Sequence, residues 1–212
     1  DAQGTTFYIS YLDSASTDYS KEIFDLLEEF DKQVSTYKPN SVIKQFNNNE
    51  IKLVLKSKYP YLYHCFLESK EIKSYSKGYF DAGIFPMIQY VNSIDSLPKY
   101  GNRIFDSVRE INRNFIVSDE FVVKLDAHSQ FNFNAIAQGY SVDVIGDFLK
   151  LKGHTNFYIE IIDSNKSDEE ISVDVEQAIS KIKNENLFKV SKETKIESAA
   201  LKIKEHISEF IK

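Results

Sequence analysis

The chain has 212 residues, 42% hydrophobic and 27% charged, which is the balance of a folded globular domain rather than a disordered segment. A net charge of −6 argues against a general nucleic-acid binder, and no apolar run reaches the roughly 18 residues a membrane-spanning helix needs. The single Cys65 excludes an internal disulfide or a multi-cysteine metal centre, and none of the 7 glycines falls in a GxGxxG or GxxxxGK[ST] phosphate cradle.

Gly4-Thr5-Thr6 leads into Phe7-Tyr8-Ile9-Ser10-Tyr11-Leu12, a β-rich opening strand. Ser20 can cap a helix over 21–34, whose apolar face is Ile23, Leu27, Phe30 and Val34. A polar, proline-containing break at 35–41 precedes a helical turn at 42–46. Pro60 suits the first turn of a second helix over 60–77, and Gly78 suits its stop. Beyond Asp81 come Pro86 and a turn region expected around Pro98 and Gly101, then a short helix over 104–111. Segments 114–118 and 121–125 form a hairpin across Asp119-Glu120. Residues 131–134 alternate Phe and Asn and predict a short strand. A helix over 138–152, stopped by Gly153, and a strand over 157–162 follow. The last fifty residues contain no Gly or Pro, and Ile196, Ala200, Ile203, Ile207 and Phe210 recur at helical spacing. These patterns divide the chain into 1–162 and a helical segment 163–212. The fold class expected is α+β, an antiparallel sheet packed with helices.

Histidine chemistry is weakly encoded. His64, His128, His154 and His206 show no paired metal-ligand spacing, and Cys65 reads as an inert buried thiol. Four segments are more informative: Gln3-Gly4-Thr5-Thr6, Ser35-Thr36-Tyr37-Lys38-Pro39-Asn40-Ser41, Lys77-Gly78-Tyr79-Phe80-Asp81, and the box from Asn132 to Asp143 containing Ala135-Ile136-Ala137-Gln138-Gly139-Tyr140. Each alone has an ordinary structural reading as a strand entry, a helix end, a C-cap or close packing.

In this order and spacing they resemble the FAD:protein FMN transferases, the ApbE-like flavin transferases, over residues 1–161. The resemblance implies Mg²⁺-assisted transfer of FMN from FAD to a Thr or Ser hydroxyl of a target flavoprotein, a phosphoryl-transfer reaction. It implies FAD contacts at Gln3, Tyr37, Tyr79, Phe80, Asp81, Asn132 and Gln138, and a Mg²⁺ ligand in the backbone carbonyl of Ala135. It names no catalytic base in this chain. Gln138 stands where many members carry Lys, so it offers the phosphates a hydrogen bond without a charge. The resemblance also implies a periplasmic location or the outer face of the cytoplasmic membrane, with any leader or lipid anchor outside this sequence.

Two family features are missing. Ile159 to Ser164 replaces a Gly-Gly-Glu turn, and no later Asp-Ala-x-Ala-Thr box supplies Mg²⁺ carboxylates. Impaired transfer is therefore one expectation. The alternative is a non-catalytic FAD-binding or partner-binding remnant that uses 163–212 to cover its core.

Overall fold

The structure, a computed structural model, describes residues 5–92 and 115–162. The candidates Gln3, the helix at 104–111 and the segment 163–212 lie outside them. The described elements are β1 (Thr6–Tyr11), α1 (Ser20–Val34), α2 (Val42–Asn47), β2 (Leu53–Leu55), α3 (Pro60–Tyr75), a 3₁₀ turn (Ala82–Ile84), α4 (Phe85–Asn92), β3 (Phe115–Val117), β4 (Phe121–Lys124), α5 (Asn134–Leu151) and β5 (Phe157–Ile162). The class is α+β with antiparallel sheets, as the sequence pattern implies. The described residues divide into two compact units, one of 5–31 with 137–162, the other of 32–92 with 115–136.

In the first unit β1 and β5 pair antiparallel, from Thr6 opposite Ile162 to Tyr11 opposite Phe157. The strand period of two puts Phe7, Ile9 and Tyr11 on one face with Phe157 and Ile159. Against it pack Ile23 and Leu27 of α1 and Ile145 and Leu149 of α5, each pair one helical turn apart. Gly146 permits close approach here, since a Cβ on it would meet the Phe157 ring at 3.4 Å. His154 closes the end of this core against the Tyr11 and Tyr19 rings. Its Nδ1 lies 3.2 Å from the Leu12 carbonyl, which can only accept, so Nδ1 carries the proton.

In the second unit β2, β4 and β3 form an antiparallel sheet in that order. Val54, Val122 and Lys124 face inward and are buried, while Leu53, Leu55 and Ile116 are exposed on the other face. The core is aromatic. Phe66 of α3 lies 4.9–5.8 Å from the rings of Phe46, Phe115, Phe131 and Phe133. Pro60 opens α3, whose preceding residue, Tyr59, makes no side-chain cap. Gln33 replaces that cap from the end of α1, its Oε1 accepting the Tyr61 and Leu62 amides at 3.0 and 3.4 Å.

Residues 131–134 do not form the expected strand. The N–H and C=O of Phe131 are both taken by the buried Asn47 side chain at 2.8 Å, and the Asn132 N–H by the Ala82 carbonyl at 2.8 Å. With those groups engaged, no ladder forms there. The following helix starts at Asn134, four residues earlier than its sequence pattern suggests, because the Asn132 Oδ1 accepts the Asn134 N–H at 2.8 Å. Two further elements have weak sequence signals: β2, only three residues long, and α4, which begins one residue before Pro86, where proline's missing N–H costs nothing.

Candidate functional site

The site is assembled by three segments of the second unit. Ser35 starts the first: its Oγ accepts the Tyr37 and Lys38 amides, both at 3.3 Å, which turns the chain after α1. That turn leaves the Tyr37 ring 82% exposed. Its hydroxyl accepts from the Asn134 Nδ2 at 3.4 Å, and Thr36 donates to the Asn134 Oδ1 at 3.4 Å. Asn134 therefore ties the first segment to the box that follows Phe133.

The second segment is the reversal after α3. Lys77 and Gly78 take positive φ of 53° and 87°, and the Gly78 N–H returns to the Lys73 carbonyl at 2.8 Å. The Ser76 Oγ accepts the Phe80 N–H at 3.0 Å. Tyr79 is left with a ring 74% exposed, while Asp81 turns back towards the protein. Asp81 caps the 3₁₀ turn: its Oδ1 accepts the Gly83 N–H at 3.0 Å, and its other oxygen pairs with the Lys73 ammonium.

The third segment is the Asn132 box. Phe131 and Phe133 are buried on either side of Asn132 and hold the backbone, and the Asn132 N–H binds Ala82 immediately after Asp81. The Asn132 Oδ1 is committed to the helix start, so its free contribution to a ligand is the Nδ2 donor pair. Tyr37 is thus linked to Asn132 through Asn134, and Asn132 to Asp81 through Ala82. Ala135 lies in the first turn of α5, exposed. Gln138 belongs to the first unit, where its carbonyl accepts from Ser141 at 2.7 Å. The arrangement offers two open aromatic rings for a planar ring system, an amide donor and a carboxylate acceptor, a suitable set for a dinucleotide.

The sequence profile of the ApbE family matches residues 3–198. The chain belongs to the ApbE family. It is 25% identical over 175 residues to the FAD:protein FMN transferase of Vibrio cholerae, a match covering 74% of this chain and 50% of that protein. Among solved structures it is similar to the flavin transferase ApbE of Vibrio cholerae, with TM-score 0.62, 23% identity and coverage of 76% of this chain and 55% of that one. The apo form of the Pseudomonas stutzeri flavinyl transferase ApbE gives TM-score 0.62, 22% identity and coverage of 76% and 54%. These structures share the fold. The chain spans about half the length of the ApbE relatives it matches.

The ApbE-family site is not matched by a metal centre: among the described residues no group of three or more His, Cys, Asp or Glu could hold a metal ion. The Ala135 carbonyl sits inside a helix, where it points along the axis towards the amide of residue 139 and has one lone pair to spare. A hard divalent cation needs carboxylates besides. The described residues therefore do not by themselves fit Mg²⁺. Cys65 is fully buried, and its thiol is pushed well above the ordinary range by burial first and by the Glu68 charge second, which removes it as a nucleophile. Two residues that shape the site, Lys73 and Asn47, carry no local sequence signal, since both act on segments distant from their own helices.

Proposed function

We propose that the chain is a flavin transferase that takes FAD as donor. The observation that carries this reading is the hydrogen-bonded convergence of Tyr37, Asp81 and Asn132 in one unit, with the Tyr37 and Tyr79 rings left open beside them. Tyr37, Tyr79 and Phe80 contact the isoalloxazine or adenine ring, Asp81 accepts a ring or ribose donor, and the Asn132 amide donates to the nucleotide. Contacts from Gln3 and Gln138 rest on the family resemblance alone. The reaction breaks the pyrophosphate P–O–P bond of FAD and forms a phosphoester between the FMN phosphorus and a Thr or Ser oxygen of a target flavoprotein. AMP leaves, and the hydroxyl proton passes to solvent or a base. The residues of this chain bind and orient the dinucleotide.

Mg²⁺ assistance, with the Ala135 carbonyl as one ligand, rests on the family resemblance alone. So does a site of action in the periplasm or on the outer face of the cytoplasmic membrane. We expect FAD binding without metal and slow transfer even with it. The test is titration with FAD followed by flavin absorbance, with and without Mg²⁺, together with AMP release in the presence of a flavoprotein acceptor carrying a Thr. Absence of any FAD binding would overturn the reading. Binding without AMP release under either condition would favour the remnant, which has kept the nucleotide contacts and lost transfer.

A further inference from the structure

Among the described residues the Lys73–Asp81 pair is the one charged contact inside the candidate site, and it rests on a reversal that brings two positions eight residues apart side by side. Lys73 closes this reversal twice. Its backbone carbonyl accepts the Gly78 N–H at 2.8 Å, and its ammonium pairs with the Asp81 carboxylate. The residues enclosed include Tyr79 and Phe80. Asp81 is also fixed from its other side by the Gly83 amide at 3.0 Å, so both carboxylate oxygens are held and the side chain has one orientation. A carboxylate oxygen with one donor keeps a second lone pair, and a bound nucleotide can donate to it.

We infer that Lys73 is a positioning residue for flavin-nucleotide binding: it orients the Asp81 carboxylate, and with it the Tyr79–Phe80 segment, for the dinucleotide. This inference deepens the FAD reading and rests on it. The exposure of the pair separates its two conceivable roles. The Lys73 and Asp81 side chains are 44% and 22% exposed, a setting in which an ion pair adds little to folding stability. An orientation held at a binding site is different, because a ligand hydrogen bond to a charged group depends strongly on where that group points. The ammonium has two further N–H donors, so a direct contact between Lys73 and the FAD phosphates is the competing role, and the experiment must tell the two apart.

The experiment is an FAD titration, followed by quenching of flavin fluorescence, of the wild-type chain, Lys73→Met, Lys73→Arg, Asp81→Asn and the Lys73→Met/Asp81→Asn double variant, with melting temperatures taken alongside. Lys73→Met is expected to weaken FAD binding about tenfold and to leave the melting temperature nearly unchanged. Lys73→Arg keeps the charge and is expected within about threefold of wild type. In the Asp81→Asn background Lys73→Met is expected to cost nothing further, because the group it positions is already altered. Equal FAD affinity of Lys73→Met and wild type would overturn the inference while the FAD reading stands. Full additivity in the double variant would also overturn it, making Lys73 a direct ligand contact. A wild-type chain that binds no FAD would overturn both.

Discussion

Lys124 illustrates how a single side chain can report on the fold around the site. It is 4% exposed on the inner face of β4, its ammonium 3.0 Å from the Asn49 Oδ1, 3.4 Å from the Asn47 carbonyl and 4.9 Å from the centre of the Phe46 ring. Burial pulls its pKa from 10.5 down to about 8, with Asp126 opposing the fall and Lys52 adding to it. The unfolded chain binds this proton more tightly, so between about pH 8 and 10.5 stability contributed by this group rises with pH, and below pH 8 the full cost of burying the cation remains. Urea unfolding of wild type and Lys124→Met across pH 7–10.5 should show a wild-type stability that gains on the variant as pH rises. A constant difference would refute the assignment. Gly139 makes a second test. Close packing is the ordinary reading of its sequence context, yet a Cβ there meets nothing within 4 Å, whereas Gly146 is the packed glycine. Gly139→Ala should therefore stabilise α5 by up to about 1 kcal/mol. If α5 also lies against FAD phosphates, the same substitution lowers FAD affinity; a rise in melting temperature with unchanged affinity would show that this glycine has no part in binding.

Between elements, the long-range polar contacts carry what local pattern cannot. α1 and α3 were legible because apolar residues recur at helical spacing and because Ser20, Pro60 and Gly78 mark their ends. The Tyr37 turn and the Asn132 box were legible as motifs. The Phe-Asn alternation at 131–134 was misleading for a definite reason: period two marks a strand only when a neighbouring strand takes the hydrogen bonds, and here Asn47, 84 positions away, takes them instead. Nothing near residue 131 announces that partner. Asn47→Ala should leave the Phe131 N–H and C=O buried and unpaired, costing about 1–3 kcal/mol for each, and should loosen Asn132 enough to weaken FAD binding. The Gln33 cap gives a control for this. Gln33→Ala exposes the α3 amides of Tyr61 and Leu62 and should destabilise by a comparable amount, but those amides start α3 and are not part of the Asn132 box, so FAD affinity measured on folded protein should hold. Loss of affinity in both variants would mean that global stability, not local geometry, controls the site.

Across the whole molecule, one buried atom gives a way to time its opening. The Cys65 thiol lies in α3 with 0% exposure, beside Phe66, whose ring touches the aromatic core that supports the Asn132 box. As the chain's sole sulfhydryl, it leaves a single modification signal to interpret. A maleimide or disulfide reagent in solution can reach it only when the second unit transiently unfolds, so the labelling rate measures how often that happens under fully native conditions. Any ligand that binds only the closed form must slow the reaction by a factor of one plus the ratio of free ligand concentration to Kd. With FAD at about 100 times its dissociation constant, labelling should slow about a hundredfold in the wild type, and by much less at the same concentration in Lys73→Met if that variant binds about tenfold more weakly. An unchanged rate with saturating FAD would mean that the thiol becomes accessible by a local motion the nucleotide does not oppose. The same buried sulfur that contributes no chemistry thus serves as an internal stopwatch for ligand-gated breathing.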